Sequence, residues 1–174
     1  MPIVMSKMCL MNIIIKKGIA IMDKIINITQ KPAAYAVISG NEDNRKLHGV
    51  VYFYKTPFGG TLVEAEIDGL PMEPDTNGSF MGMHIHENGD CTRPFDKTGE
   101  HYNPGLASHP EHAGDMPPLL SNYGYAYIVF YTDNFNVDDI IGRSVILHSS
   151  PDDFTTQPSG NSGTKIGCGV ICKK

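Results

Sequence analysis

Six histidines and one aspartate constrain this 174-residue chain more than any other feature of it. They occur as His84 and His86, then His101, His109 and His112, with Asp115 three residues further on, and finally His148. Imidazoles kept this close and paired with a carboxylate are the raw material of a metal centre. A fold that uses them must therefore bring three separated segments to one place.

The first pair lies in Gly82-Met-His-Ile-His-Glu87, behind the apolar Phe80-Met81, and reads as the end of a β-strand. Side chains two apart on a strand share a face, so both imidazoles can reach one ion while Ile85 turns the other way into packing. The second stretch, His101 to Asp115, is rich in Gly, Pro, Asn and Ser and is expected to be a loop. Its three imidazoles and one carboxylate match a closed tetrahedral zinc site. A third signal, Arg143-Ser-Val-Ile-Leu-His148, is a short strand with a histidine at its end.

Further strand-like runs cover 33–39, 49–55, 61–70, 80–86, 123–132, 143–148 and 164–171, with 24–29 as a possible addition. In Thr61-Leu-Val-Glu-Ala-Glu-Ile67 apolar and acidic residues alternate, as expected of a sheet with one wet face. No helical period of useful length is present. With 18 Gly and 12 Pro between the runs, the pattern is that of an all-β sandwich or barrel. The tyrosines of Tyr123-Gly-Tyr-Ala-Tyr127 are expected to line one face of a strand, and His48 is expected at the surface.

The length suits one well-cored domain. A net charge of -5 argues against a nucleic-acid partner, and no basic run suggests a membrane surface. The four cysteines, Cys9, Cys91, Cys168 and Cys172, do not have zinc-ribbon spacing.

Taken in order, Gly-Met-His84-Ile-His86-Glu, Gly89-Asp-Cys91, Gly-Glu-His101-Tyr-Asn-Pro, His112-Ala-Gly-Asp115, Ile140-Ile-Gly-Arg143 with Val-Ile-Leu-His148, and Gly160-Asn-Ser-Gly-Thr-Lys165-Ile-Gly-Cys168 resemble the copper,zinc superoxide dismutases. The resemblance covers about residues 32–171. It implies a Greek-key β-sandwich or barrel of about eight antiparallel strands, with long metal-binding and channel loops. It implies one copper ion and one zinc ion per subunit, with copper on His84, His86, His101 and His148, and zinc on His101, His109, His112 and Asp115. His101 would bridge the two metals, and Asp152 would hydrogen-bond His84 and His109 behind them. Cys91 and Cys168 would form the intrasubunit disulfide, leaving Cys9 and Cys172 as free thiols.

The implied reaction converts superoxide to O2 and hydrogen peroxide by alternate reduction and reoxidation of copper, with His101 leaving copper, taking a proton and returning it. Imidazole suits copper, and zinc has no redox chemistry, which agrees with that division of labour. The substrate is a small anion, so attraction must come from a local field despite the net negative charge. Lys165 stands where the family has an anion-orienting arginine, and lysine offers a flexible point charge instead of a planar fork. The segment between His109 and His112 is short, and Phe154-Thr-Thr-Gln-Pro-Ser159 carries no charge where many members have a guiding loop. Weaker steering is expected.

A catalytically weak copper/zinc-binding or copper-storage protein is the alternative. A zinc hydrolase is disfavoured, because His84-Ile-His-Glu-Asn-Gly89 lacks the aspartate and histidine that such a motif carries. The family implies a homodimer formed through Ile141-Gly142 and the chain end, although Asn88 and Lys173 replace apolar contacts there. Residues 1–31 lie outside the resemblance and are expected to be a loosely attached extension to a domain at 32–174. Lys16-Lys17 interrupts what would be a signal-peptide core, so a cytoplasmic location is expected, with secretion as the alternative and Met22 as a possible second start.

Overall fold

The computed structural model describes residues 31–72 and 80–174. The expected extension and the 24–29 strand lie outside the described residues, apart from Lys31.

Seven strands form one antiparallel sheet. They are β1 (Ala34–Gly40), β2 (His48–Lys55), β3 (Thr61–Asp68), β5 (Met83–His86), β7 (Ala126–Thr132), β8 (Ser144–His148) and β9 (Lys165–Lys173), in the order β5-β8-β9-β1-β2-β3-β7. Two short strands, β4 (Phe80–Met81) and β6 (Leu119–Leu120), pair with each other. β4 runs on into β5 at one sheet edge, while β6 packs against β7 at the other. The sheet thus curls toward closure as a barrel. The only helical turns among the described residues are α1 (Val137–Ile140) and a 3-10 turn at Asp96–Thr98. No helix among the described residues is long and apolar enough to cross a membrane.

The period-two pattern decides which side chains are inside. Val51 and Phe53 of β2, Val63, Ala65 and Ile67 of β3, and Ala34, Ala36 and Ile38 of β1 are fully buried in one core with Met83, Ile85, Val145 and Leu147. Each large apolar side chain so buried contributes roughly 1.5 to 3 kcal/mol relative to exposure. Between them point Glu64, Glu66, Tyr127 and Tyr131, on the outer face, where Tyr54 and Tyr127 both donate hydrogen bonds to Glu64. Tyr127 and Tyr131 therefore occupy an exposed strand face, whereas Tyr123 and Tyr125 precede β7 in a turn closed by the Asn122–Tyr125 bridge, and His48 is exposed.

The β5–β8 pair is different because both of its faces are covered. Register places His84 opposite Ile146 and His86 opposite Ser144. Met83, Ile85, Val145 and Leu147 take the core side, so His84, His86, Ile146 and His148 must face outward. That outer face is roofed by the chain between β5 and β6. Phe95 and Cys168 pack on Ile146 in a second small cluster, with Cys91 beside them. Cys91 and Cys168 form a disulfide with Cα atoms 5.7 Å apart, which ties the roof to β9. Cross-linking residues 77 apart contributes about 4 kcal/mol in the chain-entropy account.

Candidate metal centre

The candidate site lies between the outer face of β5–β8 and the roofing loop. His84 and His86 project from β5, and His148 from the end of β8. The loop is held against the free edge of β5 by backbone bonds: Ile85 N donates to Gly114 O at 2.9 Å, Tyr102 N to Ile85 O at 2.8 Å, and Glu87 N to Glu100 O at 3.0 Å. This pairing aligns His101 with His86 and Asp115 with His84 as isolated bridges. Close approach at Gly114 is obligatory, since a Cβ there would sit 2.3 Å from Ile85 O.

Two nests result. The candidate ligand atoms of His84, His86, His101 and His148 lie within 4.8 Å of one another, and so do those of His101, His109, His112 and Asp115. All six histidines are buried, and His101 belongs to both nests.

Hydrogen bonds behind the rings fix which nitrogen faces inward. His84 Nε2 donates to Asp152 Oδ2 at 2.7 Å, which leaves Nδ1 with its lone pair turned into the first nest. His86 Nδ1 donates to Gly99 O at 2.9 Å, so Nε2 is the inward atom, 3.4 Å from Nε2 of His148. His148 Nδ1 lies 3.4 Å from Gly163 O, which leaves its Nε2 inward as well. In the second nest His109 Nε2 donates to Asp152 Oδ1 at 2.9 Å, freeing Nδ1, which lies 3.1 Å from Asp115 Oδ2. His101 Nδ1 is 2.7 Å from Asp115 Oδ1 and 3.4 Å from His112 Nδ1, which commits it to the second nest and leaves the buried, unpartnered Nε2 as the atom this ring can offer the first.

Asp152 thus spans the rear of both nests. Burial pushes its carboxyl up, but hydrogen bonds from His84, the Phe154 amide and His109 overcome this and hold it well below the usual carboxylate range. Burial likewise pushes Asp115 up, yet the His101 hydrogen bond and the neighbouring imidazoles keep it low. Burial pushes His86 down to about 2 and His148 down to about 3, each helped by the adjoining rings, so both are neutral lone-pair donors.

The residues fit metal ions on an observation independent of any relative. His84 Nδ1 and His101 Nε2 are buried without a hydrogen-bond partner, and so is His109 Nδ1, whose 3.1 Å approach to Asp115 Oδ2 is not aligned as a hydrogen bond. A buried polar atom left unpaired costs about 1 to 3 kcal/mol, and three of them converge on the two nests. The first nest offers four nitrogens, a set that suits copper. The second offers three nitrogens and a carboxylate, the closed set preferred by zinc.

Lys165, at the start of β9, is half-buried. Its ammonium donates to Thr98 Oγ1 and to Gly99 O, each at 2.9 Å. Gly99 O therefore receives both Lys165 and His86, a candidate ligand of the first nest. Gln157 clasps His109 from the opposite loop: its Nε2 donates to His109 O at 2.7 Å and its Oε1 accepts from His109 N at 3.0 Å. Gly160, at a positive φ, lies against the hydrogen bond between Asp152 and the His109 ring, where a Cβ would meet both partners. Sequence reading had not singled out Thr98, Gly99 or Gln157. Only Gly99, two residues before His101, had a visible signal.

Residues 47–171 match the sequence profile of the copper/zinc superoxide dismutases. The chain is 34% identical over 148 residues to the copper-zinc superoxide dismutase of Deinococcus radiodurans, covering 72% of this chain and 78% of that one. It is 32% identical over 154 residues to the mouse copper chaperone for superoxide dismutase, covering 81% of this chain but only 53% of the chaperone. Among solved structures, the clock protein EA4 superposes with a TM-score of 0.71 at 29% identity, covering 82% of this chain and 96% of that one. The chain belongs to the copper/zinc superoxide dismutase family.

Proposed function

We propose that this protein is a superoxide dismutase, with copper held by His84, His86, His101 and His148 and zinc by His101, His109, His112 and Asp115. One observation carries the reading: the two ring nitrogens of His101 face different nests, so a single imidazole can serve both ions. When bound, copper supplies the one-electron couple that oxidises one superoxide to O2 and reduces the next to hydrogen peroxide, while zinc supplies a fixed charge.

The chain's own residues do the rest. His101 Nε2 is the atom at which a proton is held and handed to the departing peroxide. Asp115 and the second nest keep that ring in place. Asp152 sets the tautomers of His84 and His109 together, and so couples the two nests mechanically. Lys165 presents the cation that draws superoxide inward. We further propose a domain at 32–174 that carries the whole site, a homodimer formed through Ile141-Gly142 and the chain end, and a cytoplasmic location. Among the curated relatives is an extracellular superoxide dismutase of mouse at 33% identity over 140 residues, which keeps secretion as the alternative.

A second reading, a copper-handling protein of low activity, is favoured by Lys165 in place of the family's arginine and by the similarity to the mouse chaperone. One experiment separates them. Metal content and superoxide-scavenging rate are measured on the same sample. Copper and zinc with activity support the dismutase, both metals without activity support copper handling, and zinc alone sinks both.

A further inference from the structure

Lysine at position 165 replaces an orienting fork with a mobile point charge, yet its ammonium is not mobile here. Two acceptors hold it, Thr98 Oγ1 and Gly99 O. Thr98 is fully buried and its single hydroxyl proton is already donated to Phe95 O at 2.7 Å. Its oxygen therefore meets Lys165 with a lone pair, and the direction of the bond is fixed. An ammonium has three donors. Two are spent on the 3-10 turn, and one remains for an anion.

Gly99 O adds a reference point, because it also accepts from His86 Nδ1. The lysine is thereby placed relative to a ligand of the copper nest. Two acids compete for it at longer range: the carboxylates of Glu100 and Asp96 both act electrostatically on this ammonium, and both residues are exposed. A lysine freed from Thr98 has four-carbon flexibility and two acids to turn to.

We propose that Thr98 is a positioning residue for the superoxide reaction: its hydroxyl pins the Lys165 ammonium beside His86, so that a point charge serves as a directed anion guide. The proposal rests on the reading of Lys165 as the anion guide. It explains why lysine is tolerated at this position and gives a buried threonine in an otherwise irregular loop a defined task.

The test uses the full chain loaded with copper and zinc, in Thr98→Val, which keeps shape and removes the acceptor, and Thr98→Ser, which keeps the hydroxyl. Azide serves as the anion probe, followed by its charge-transfer absorption, beside the second-order rate with superoxide at low salt. Thr98→Val should weaken azide and lower the rate by about three- to tenfold, at unchanged metal content, and Thr98→Ser should recover most of both. In a Lys165→Met background Thr98→Val should have no further effect, which a merely structural role would not produce. In the zinc-loaded protein without copper, the 15N-1H signal of the Lys165 ammonium should persist in Thr98→Ser and vanish by exchange in Thr98→Val. Unchanged azide binding in Thr98→Val, an equal loss in the Lys165→Met background, or an unaltered ammonium signal would each overturn the proposal. Absence of superoxide turnover in the unsubstituted protein would sink the dismutase reading while leaving the azide and ammonium results to decide on Thr98.

Discussion

Asp152→Asn tests the coupling of the two nests without changing the shape of the side chain. The carboxylate accepts three bonds: His84 Nε2 at 2.7 Å on Oδ2, and His109 Nε2 at 2.9 Å with Phe154 N at 2.7 Å on Oδ1. An amide has one acceptor oxygen and one donor nitrogen. Its oxygen will stay where two donors converge, at Oδ1, which leaves the NH2 pointing at His84 Nε2-H. Two donors then face each other, and the cheapest relief is for His84 to change tautomer. The proton moves to Nδ1, the atom that faces the copper nest, and that ligand is lost until the ring is reset. His109 keeps its acceptor and its tautomer. Removal of such an outer partner lowers metal affinity about 10- to 100-fold, or ~1.4 to 2.7 kcal/mol. Here the loss should fall on copper, with zinc changed by much less. Competitive titration of each metal against a chelator reads both. If zinc affinity fell as far as copper affinity, or copper affinity did not move, the tautomer argument would be wrong.

Other outcomes follow from the same contacts. His101→Ala removes a ligand from both nests and should abolish most activity; a variant that loads both metals and turns over normally would refute the shared-bridge assignment. Lys165→Arg should raise and Lys165→Ala lower the rate with superoxide, and both effects should shrink between 0.01 and 0.1 M salt as the Debye length falls from about 30 to about 10 Å; salt-independent rates would remove Lys165 from the guiding role. Gly160→Ala would put a Cβ 2.0 Å from Asp152 Oδ1 and 2.6 Å from His109 Nε2 at a φ of +67°, so zinc affinity should drop and the protein lose about 1 to 3 kcal/mol, read by chelator titration and urea denaturation. For the metal-stripped protein, His86 and His148 sit at about 2 and about 3 when folded against 6.5 in an open chain. The unfolded state therefore binds more protons below pH 6.5, and stability present above that pH is lost as the pH falls through the window to about 3, by up to about 1.4 kcal/mol per pH unit for each ring. Urea midpoints that are flat from pH 7 to pH 5 would contradict this.

The strands and the histidine pair were legible in the sequence because both are periodic. What escaped reading was pairing. Residues 80–86 look like one strand, yet Gly82 N bonds Ser150 O and Gly82 O accepts from His148 N, so the partner changes at that residue and β4 separates from β5. β7 starts at Ala126 and not at Tyr123 because Asn122 and Tyr125 close a turn in which Tyr123 and Gly124 both have positive φ. β6 is two residues behind Pro117-Pro118, too short to show any period. α1 is a single turn whose only sequence mark is Asn136 with Asp139, whose carboxylate accepts from the Asn136 amide. At the site, the link from Asp152 to His84 crosses 68 residues and the one to His109 crosses 43, separations that no local pattern encodes. Here the family resemblance named the contact and residue-level reasoning did not. Thr98 and Gln157 had neither signal.

The division of ligands between strand and loop has a consequence for how the centre assembles. Three copper-nest residues stand on β5 and β8, whose opposite faces are locked in the core by Met83, Ile85, Val145 and Leu147. Their rings are set by the barrel and by fixed acceptors, Asp152 for His84, Gly99 O for His86 and Gly163 O for His148, before any ion arrives. The nest proposed for zinc draws every candidate ligand from the loop between β5 and β6, where regular pairing is limited to isolated bridges, and its order depends on the Asp115, Asp152 and Gln157 contacts. His101 and Asp152 are the two residues that touch both sides. An ion in the zinc nest therefore restrains the loop and, through His101, fixes the fourth ligand of a copper nest that is otherwise already built. The reverse influence is smaller, since the copper nest has little left to order. By linkage the coupling free energy is the same in both directions, so the asymmetry belongs to loop order and not to affinity. Amide hydrogen exchange across 101–115 should accordingly slow much more on zinc loading than on copper loading, and equal protection by either metal would remove the distinction between a framework nest and a loop nest.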